Sequence, residues 1–400
     1  MRILKVVQAY YPFQEKGGPV VKVRAIALGL ARRGHVVTVL TADLGFAPSA
    51  APSMKAEKFG WGWRAEEEGV DAIFLRSYGH YRAVTFNPGV WSFCHRALGD
   101  YDIVHIYGLY DLLGPAVASA ARRKNIPYVI EPMGMFLPIV RSFRLKELYH
   151  TLFGKKMLRG ANRLIATSEQ EREELVAGGI APSRIVVRRN GILIPSSLPC
   201  RGGFRERWNI PAGAKVVLYL GRIEPKKSPD LLLEAFALLR ENTANATRSA
   251  LVIAGPEQES SYSAHLRSLA ASSGIGNRVI FTGPLYDDAK WAAYRDADVF
   301  VLPSQNENFG NSAAEAMVCG TPVIVTDRCG IAPMIGGKAG LVVPHDVDAL
   351  AGALKTLLGN SDLAAQFRDG CREVVRGLSW DGPLSQMEQL YREAAATAGV

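Results

Sequence analysis

The sequence predicts an α/β protein built from two doubly wound parallel sheets, one in each half of the chain. Short runs rich in Val and Ile alternate with segments of helical periodicity, which is typical of parallel strands joined by helices. The alternation breaks in the run NGILIPSSLPCRGG, a composition that indicates a linker, and then begins again. A length of 400 residues also exceeds that of one ordinary domain. We therefore expect two Rossmann-like domains facing a cleft, where a ligand would bind.

The first half opens with a predicted strand over Ile3–Ala9. A helix over Val20–Arg33 follows, where apolar residues recur at helical spacing until Gly34 ends the pattern. Apolar runs predict the further strands Val36–Thr41, Ala72–Leu75, Ile103–Tyr107, Tyr128–Ile130, Leu164–Thr167 and Ile185–Val187. These elements define an N-terminal domain of residues 1–195.

The second half repeats this organisation over residues 196–380. Its predicted strands are Val216–Leu220, Leu251–Ala254, Val279–Thr282, Val299–Leu302 and Val323–Thr326. Its predicted helices include Asp230–Leu239 and Asp348–Leu358. A last helix over Pro383–Ala396 follows a Trp-containing bend, and we expect residues 381–400 to return to the N-terminal domain.

Composition excludes several protein classes. With 48% hydrophobic and 21% charged residues, the chain can bury sizeable cores and is not disordered. Five cysteines without a C-x-x-C pair form neither a disulfide scaffold nor a zinc ribbon, and they fit a reduced, cytoplasmic compartment. The first residues lack a signal-peptide core, and no apolar run is long enough to span a membrane.

One candidate site follows the strand Val299–Leu302, in the stretch PSQNENFGNSAAEAMVCGTPVIV. A helix is predicted to begin near Ser312, with Glu315 three residues later as in a capping box. A helix N-terminus at the carboxyl edge of a parallel sheet binds phosphate, and Gly310 lets the backbone approach a ligand. Glu307, in the preceding loop, could accept hydrogen bonds from sugar hydroxyls. Either glutamate alone could be a cap or a solvated residue, but the combination favours a ligand site.

A second candidate site lies in the stretch LYLGRIEPKKSPDLLL. Arg222 follows the strand end, and Lys227 precedes Ser228, which is predicted to cap the next helix. Two cations beside a helix N-terminus would hold an anionic diphosphate. The alternative is that Lys226 and Lys227 are a solvated basic pair.

These stretches, together with FTGPLYDDAKWAAYRDADVFVLPS, resemble the C-terminal half of the retaining glycosyltransferase family 4. Glu307 and Glu315 match its Glu-x₇-Glu pattern, and Gly221, Arg222 and Lys227 match its Gly-Arg-x₄-Lys pattern. The resemblance covers nearly the whole chain. It implies the GT-B fold, two Rossmann-like domains facing a central cleft. It also implies transfer of a sugar from a UDP- or GDP-sugar to a saccharide or lipid-linked acceptor, with retention of configuration.

The resemblance also implies roles for the matched residues. Glu307 would contact the donor sugar, Arg222 and Lys227 the diphosphate, and Glu315 the ribose, while the base would meet the backbone near Leu285. The other implied donor-binding residues are Gly17, Gly18, Phe309, Gly310, Asn311 and Ser312. No protein nucleophile, metal or cofactor is needed, because the departing phosphate oxygen takes the acceptor proton. We interpret the Asp-x-Asp at Asp296 and Asp298 as structural.

The N-terminal half carries weaker signals. A Gly-Gly pair follows the first strand, but there is no G-x-G-x-x-G motif. This weakens the hypothesis that the chain binds a nicotinamide or flavin cofactor. Met133-Gly134 stands where many family members have His-Gly. In this respect the chain resembles a branch of the family that is linked to cell-surface polysaccharides. The acceptor-side candidates are Tyr10, His105, Glu131 and Met133, although a buried structural role is an alternative for His105.

The net charge of +9 is concentrated in the first half: residues 1–195 carry +11 and the remainder −2. The region Arg141–Arg163 holds seven cations among apolar residues and predicts contact with an anionic membrane, at the inner face of the cell membrane, or with a polyprenyl-linked acceptor. A solvated helical face is the alternative. Aromatic residues in a loop-rich stretch could stack on a sugar or pack, namely Trp61, Trp63, Tyr78 and Tyr81. No nucleic-acid recognition motif is present.

Two other function classes remain open at this point. One is a different enzyme on the same architecture, a nucleotide-sugar epimerase or a phosphorylase-like enzyme. The other is a non-catalytic protein that binds a nucleotide sugar.

Overall fold

The computed structural model describes residues 1–81, 84–136, 147–240 and 249–398. The chain forms two compact units. The first unit contains Met1–Asn190 and Trp380–Val400, and the second contains Gly191–Ser379. Three of the cations in the predicted membrane-contact region, Arg141, Arg144 and Lys146, lie outside the described residues.

A nine-stranded sheet forms the centre of the first unit. Its strands are β1 (Arg2–Val6), β2 (Val36–Ala42), β3 (Lys55–Phe59), β4 (Gly62–Glu67), β5 (Val70–Leu75), β8 (Ile103–Tyr107), β9 (Tyr128–Glu131), β10 (Arg163–Ala166) and β11 (Ile185–Val187). They lie in the order β11-β10-β9-β8-β1-β2-β5-β4-β3, and β6 (His80–Tyr81) and β7 (Val84–Thr85) form a separate hairpin. The seven strands from β11 to β5 are parallel, as the Val- and Ile-rich runs predict.

Helices cover both faces of this sheet. Those of the N-terminal segment are α1 (Gly18–Arg32), α2 (Gly89–Arg96), α3 (Leu113–Arg123), α4 (Lys155–Gly160) and α5 (Glu169–Ala177). One apolar layer includes Val23 and Ile26 of α1, and the other includes Phe93 of α2, Val117 of α3 and Met157 of α4. Burial of both faces is the reason why these strands read as continuous apolar runs.

The hairpin β3–β4 replaces the loop-rich stretch expected before Ala72–Leu75. It continues the sheet in antiparallel fashion, with Trp63 opposite Phe74. Phe46 stacks on Phe74 at 4.1 Å between ring centroids and meets the edge of Trp63 at 6.0 Å. Trp63 therefore packs within the unit. The hairpin escapes a pattern-based prediction because its edge strand is partly exposed and charged.

The second unit contains one sheet of six parallel strands. They are β12 (Lys215–Leu220), β13 (Ser249–Ala254), β14 (Val279–Gly283), β15 (Val299–Leu302), β16 (Val323–Thr326) and β17 (Gly340–Val343). Its helices are α6 (Gly203–Arg207), α7 (Pro229–Ala237), α8 (Ser260–Ser272), α9 (Asp287–Asp296), α10 (Asn311–Val318), α11 (Ala332–Ile335), α12 (Val347–Gly359) and α13 (Ser361–Arg376). The order β14-β13-β12-β15-β16-β17 is the doubly wound order, which reverses direction between β12 and β15. This confirms the predicted fold class for both units.

The last helix, α14 (Asp381–Ala398), belongs to the first unit. Leu384, Met387, Leu390 and Ala394 recur at helical spacing and are buried in the same layer as α1. Contact is close, since a Cβ atom at Gly29 of α1 would lie 2.5 Å from the Leu384 side chain. Within the described part of the chain, no helix combines the length and hydropathy that a membrane span requires.

Candidate functional site

The reversal of strand order in the second unit brings together the two stretches singled out in the sequence. The loop after β12 and the loop after β15 leave neighbouring strands at the same edge of the sheet. The backbone N–H of Gln305 donates to the carbonyl oxygen of Lys226 at 3.0 Å, which ties the two loops together. A crevice at such a reversal is the usual ligand site of a doubly wound sheet.

Lys227 and Glu307 meet in this crevice. The Lys227 ammonium forms a direct ion pair with a carboxylate oxygen of Glu307. The Glu307 backbone is fixed by two hydrogen bonds of 2.9 Å, one donated to the Arg328 carbonyl and one accepted from the Gly330 N–H. Burial opposes ionisation of this carboxyl, but the charges of Lys227, Lys226 and Arg222 hold the pKa of Glu307 below its ordinary value. The site therefore presents an ionised carboxylate beside a cation.

Arg222 adds a second cation at the end of β12. Its guanidinium lies 3.0 Å from a carboxylate oxygen of Glu224, and 41% of the side chain remains exposed. Its carbonyl oxygen accepts a hydrogen bond of 2.7 Å from the Tyr219 hydroxyl, which fixes the backbone at the strand end. An incoming anion could thus recruit the guanidinium without moving the loop.

Helix α10 begins at this crevice. Gly310 precedes it with φ of +111°, and a Cβ atom there would lie 2.8 Å from the Ile331 side chain, so the position requires glycine. The N-cap residue Gly310 has no side chain to cap the helix, and Asn311 and Ser312 form its first turn. The Phe309 side chain is buried, and its carbonyl oxygen accepts the Ile331 N–H at 2.7 Å. The first turn can therefore offer N–H groups and the positive end of the helix dipole to an anion.

The predicted capping box at Ser312 and Glu315 is wrong. Glu315 instead accepts hydrogen bonds from the Lys290 ammonium at 2.7 Å and from the Tyr294 hydroxyl at 2.9 Å. Both donors lie on α9, four residues apart and thus on one helical face. Lys290 and Tyr294 were not identified as site residues from the sequence. Two hydrogen-bond donors four residues apart on the helix that precedes the Glu-x₇-Glu pattern could have indicated them. Leu285 follows β14 and is buried.

Two other local predictions have different outcomes. Ser228 does not cap α7, because its left-handed backbone turns the hydroxyl toward the Pro225 carbonyl and His345. Asp296 is structural, as predicted, since it accepts hydrogen bonds from the backbone N–H groups at 202, 204 and 205. Asp298 is structural as well, being paired with Arg205 and Lys215.

In the first unit, the predicted glycine pair lies at the start of α1. Gly17 precedes the helix and Gly18 is its first residue. The pair follows β1, which neighbours β8 and β2 in the sheet, so it lies at the corresponding reversal of strand order. The first unit thus also has a helix N-terminus, that of α1, at the reversal of its strand order.

The acceptor-side candidates of the first unit are mostly inaccessible. Tyr10, His105 and Glu131 are fully buried, and Met133 alone of the four is partly exposed. Glu131 lies between the Lys22 ammonium and the Arg188 guanidinium, the latter at 2.6 Å. These long-range partners, invisible in local sequence, turn a strand-end carboxylate inward. Direct contact of these three buried side chains with an acceptor is therefore contradicted.

Buried charges in this cluster shift one another's protonation. Burial opposes ionisation of Glu131, but Arg188 and Lys22 hold its pKa below the ordinary value. Burial lowers the pKa of Lys22 to about 8 despite the neighbouring carboxylate. The neutral His105 ring joins the cluster through Nδ1, 2.6 Å from the Tyr391 hydroxyl, and burial keeps its pKa well below the ordinary value. The cluster thus links α14 to the central strands.

Replacing Glu131 by Gln should destabilise the protein strongly. The substitution removes the carboxylate that pairs directly with the buried charges of Lys22 and Arg188, a loss worth about 3 kcal/mol in the free energy of unfolding. Urea denaturation would measure it, with Glu173→Gln on the exposed face of α5 as the matched control. A loss below about 1 kcal/mol would show that the carboxylate is not needed to balance the two cations.

Comparison with known families matches both halves of the chain. The model for "Glycosyl transferases group 1" matches residues 202–374, and that for "Glycosyl transferase 4-like domain" matches residues 17–191. A D-inositol 3-phosphate glycosyltransferase of Salinispora arenicola is 31% identical over 321 residues, covering 76% of this chain and 71% of that protein. One from Corynebacterium efficiens is 28% identical over 98% of this chain and 96% of that protein.

Solved structures share the fold. Sucrose-phosphate synthase of Thermosynechococcus elongatus has a TM-score of 0.74 at 23% identity, covering 99% of this chain and 100% of that one. HepE of Anabaena, solved with UDP and glucose, has a TM-score of 0.76 at 18% identity, covering 98% and 100%. At these identities the likeness concerns the fold of the chain.

Proposed function

The chain belongs to the group 1 glycosyltransferases, and we propose that it moves a sugar from a nucleotide-diphosphate donor to a saccharide or lipid-linked acceptor with retention of configuration. The observation that carries this proposal is the pairing of Lys227 with Glu307 at the strand-order reversal of the second unit. A cation for a diphosphate and a carboxylate for sugar hydroxyls are thereby held side by side. The same crevice contains Arg222 and the first turn of α10.

A nucleotide-diphosphate sugar such as a UDP- or GDP-sugar fits these groups. The diphosphate would meet Arg222, Lys227 and the N–H groups at the start of α10. In the first unit, the backbone at Gly17 and Gly18 would approach a substrate phosphate. The ribose hydroxyls would donate hydrogen bonds to Glu315, which Lys290 and Tyr294 hold in place. The base would lie against the main chain at Leu285.

The proposed reaction needs no protein nucleophile and no metal. The bond from the anomeric carbon to the phosphate oxygen breaks while the acceptor oxygen bonds to the same face, and the acceptor proton passes to that phosphate oxygen. Negative charge grows on the leaving diphosphate, where Arg222, Lys227 and the α10 N-terminus would stabilise it. Glu307 would hold the sugar hydroxyls and orient the anomeric carbon.

An acceptor that carries phosphate fits the charge of the first unit. The relatives reported above are named for D-inositol 3-phosphate, and residues 1–195 here carry +11. A polyprenyl-linked saccharide, at the cytoplasmic face of the cell membrane, would also supply phosphate. The exposed cations Lys155, Lys156 and Arg159 on α4 follow the exposed residues Leu148 and Leu152, which supports contact with an anionic membrane in the Arg141–Arg163 region.

Donor binding provides the direct test. Melting of the protein is followed with UDP-, GDP- and ADP-glucose, because a ligand that binds the native state raises the melting temperature by mass action. We expect one of the first two to raise it. In Lys227→Met the donor Kd should rise at least about tenfold, whereas Lys355→Met, on the exposed face of α12, should match the wild type.

The stereochemistry of the product tests the second part. NMR of the first product formed should show the anomeric configuration of the donor. A product of inverted configuration would overturn the proposed retention. No response to any of the three nucleotide sugars would overturn the donor class.

A further inference from the structure

A patch of exposed aromatic side chains lies on the first unit, outside the groups used above. Tyr78, Phe86 and Trp91 are 63%, 46% and 57% exposed. We call these three residues, together with the half-buried Trp61 beside them, the aromatic patch. Exposing so much apolar surface in one place costs free energy in water, and such a patch commonly marks an interaction site.

The aromatic patch is held by regular structure. Tyr78 and Phe86 pair across the β6–β7 hairpin, since the Tyr78 N–H donates to the Phe86 carbonyl at 3.0 Å. The rings of Phe86 and Trp91, the latter on α2, are 5.9 Å apart. Trp61 joins the group through its carbonyl oxygen, which accepts the Arg76 N–H at 2.7 Å. The backbone pairing of the hairpin and the contact with α2 thus place these rings.

Positive charge borders these rings. The Arg76 guanidinium lies 5.2 Å from the centre of the Tyr78 ring, and the Arg96 guanidinium lies 5.1 Å from that of Trp61. The sequence contains no Asp or Glu from Arg76 to Gly99. The Asp43 carboxylate, which approaches from the end of β2, accepts the backbone N–H of Ser77 at 3.0 Å. The patch therefore combines exposed aromatic surface with a positive charge.

The patch lies at the carboxyl edge of the first unit's sheet. It follows the end of β5, and the Gln8 side chain, just after β1, donates to the Thr85 hydroxyl in the hairpin at 2.7 Å. This is the sheet edge at which the Gly17-Gly18 pair lies. A partner bound to the patch would therefore be close to the edge that the proposed function assigns to substrates.

We propose that the aromatic patch docks the first unit on an anionic lipid bilayer. Trp and Tyr rings favour the headgroup region of a bilayer, because the apolar part of the ring can contact the lipid tails there while its polar atom contacts water. Arg76 and Arg96 would meet lipid phosphates. A saccharide platform would add carboxylates or amides for the sugar hydroxyls. The segment from Arg76 to Gly99 supplies no carboxylate, and its one amide, Asn87, is buried and donates to the Leu75 carbonyl at 2.9 Å. The purpose of docking rests on the proposed function, since a lipid-linked acceptor is presented at a membrane.

Co-sedimentation with vesicles tests this docking. At low ionic strength the intact protein should sediment with vesicles of equimolar phosphatidylglycerol and phosphatidylcholine, and much less with phosphatidylcholine alone. The double variant F86S/W91S should bind about tenfold more weakly or worse. The matched control is Leu238→Ser in the second unit, whose side chain is 51% exposed. The charge variant R76Q/R96Q should bind about 30-fold more weakly, and Arg372→Gln on α13 serves as its control.

Each outcome decides for or against the patch. Weaker vesicle binding in both double variants, with unchanged melting temperature and an unchanged response to the donor, supports the proposal. Vesicle binding that stays at wild-type strength in both, or is absent in the wild type, overturns it. The proposal is also overturned if the variants bind vesicles normally but show a raised KM for a soluble saccharide acceptor. Loss of the donor response in the wild type would instead contradict the proposed function.

Discussion

Replacing Glu307 by Gln is expected to lower the rate of sugar transfer about a thousandfold while the protein stays folded. The amide keeps the size of the side chain but loses the negative charge that Lys227 balances. A neutral group gives weaker hydrogen bonds to sugar hydroxyls and less stabilisation of the positive charge that grows at the anomeric carbon. The backbone of residue 307 keeps its bonds to residues 328 and 330, so the loop should hold its shape.

The measurement separates turnover from binding. The kcat for sugar transfer and the Kd for the nucleoside diphosphate are determined for Glu307→Gln and for Glu234→Gln, an exposed glutamate of α7 in the same unit. The diphosphate should bind Glu307→Gln at least as tightly as the wild type, because Lys227 is released to it. A kcat within about tenfold of the wild-type value would contradict the role assigned to Glu307.

Local patterns predicted the elements that position the site. The strands Ile103–Tyr107, Ile185–Val187, Val299–Leu302 and Val323–Thr326 have the bounds expected from their apolar runs. Three of these strands are buried on both faces, so their residue pattern records their environment directly, whereas Ile185–Val187 is an edge strand that is only partly buried. The first strand, in contrast, ends at Val6 rather than at Ala9, because apolar residues continue beyond its last ladder pairs.

The partners of the polar residues could not be predicted in the same way. Glu315 has the spacing of a cap, yet its partner Lys290 lies 25 positions earlier and reaches it only in the folded sheet. From the sequence, Glu131 is expected at an accessible strand end, but Arg188, 57 positions later, donates a hydrogen bond to its carboxylate in the interior of the unit. Which of several possible hydrogen bonds a side chain makes is decided by tertiary packing, whereas strand periodicity is a property of the segment itself.

The order of the strands also lies outside local patterns. The Gly-Arg-x₄-Lys and Glu-x₇-Glu stretches are separated by about 80 residues, as the pair Lys227–Glu307 shows. They become neighbours because β15 pairs with β12 instead of with β14, the strand that precedes it in the chain. The resemblance to a known family implied that the two stretches act in one site. The strand order gives the physical reason why they lie together.

Replacing Gly255 by Ala is expected to destabilise the second unit by more than about 4 kcal/mol and to impair donor binding. Gly255 follows β13 with φ of +149°, and a Cβ atom there would lie 1.7 Å from the Gly221 carbonyl oxygen. That backbone cannot yield cheaply, because the Gly221 N–H donates to the Ala254 carbonyl at 3.0 Å. Any shift of Gly221 also moves Arg222, the next residue, away from the crevice.

Gly283→Ala provides the matched control for backbone strain. Gly283 accepts the Gly255 N–H at 2.9 Å and also has positive φ, +72°, but a Cβ atom there would meet no other atom within 4 Å. Its substitution should cost about 1 kcal/mol, the strain of a left-handed backbone alone. Denaturation in guanidinium chloride, with and without donor, would measure both variants. Equal losses of stability in the two would show that backbone strain, and not the contact with Gly221, requires glycine at position 255, and the link between this turn and Arg222 would then fail.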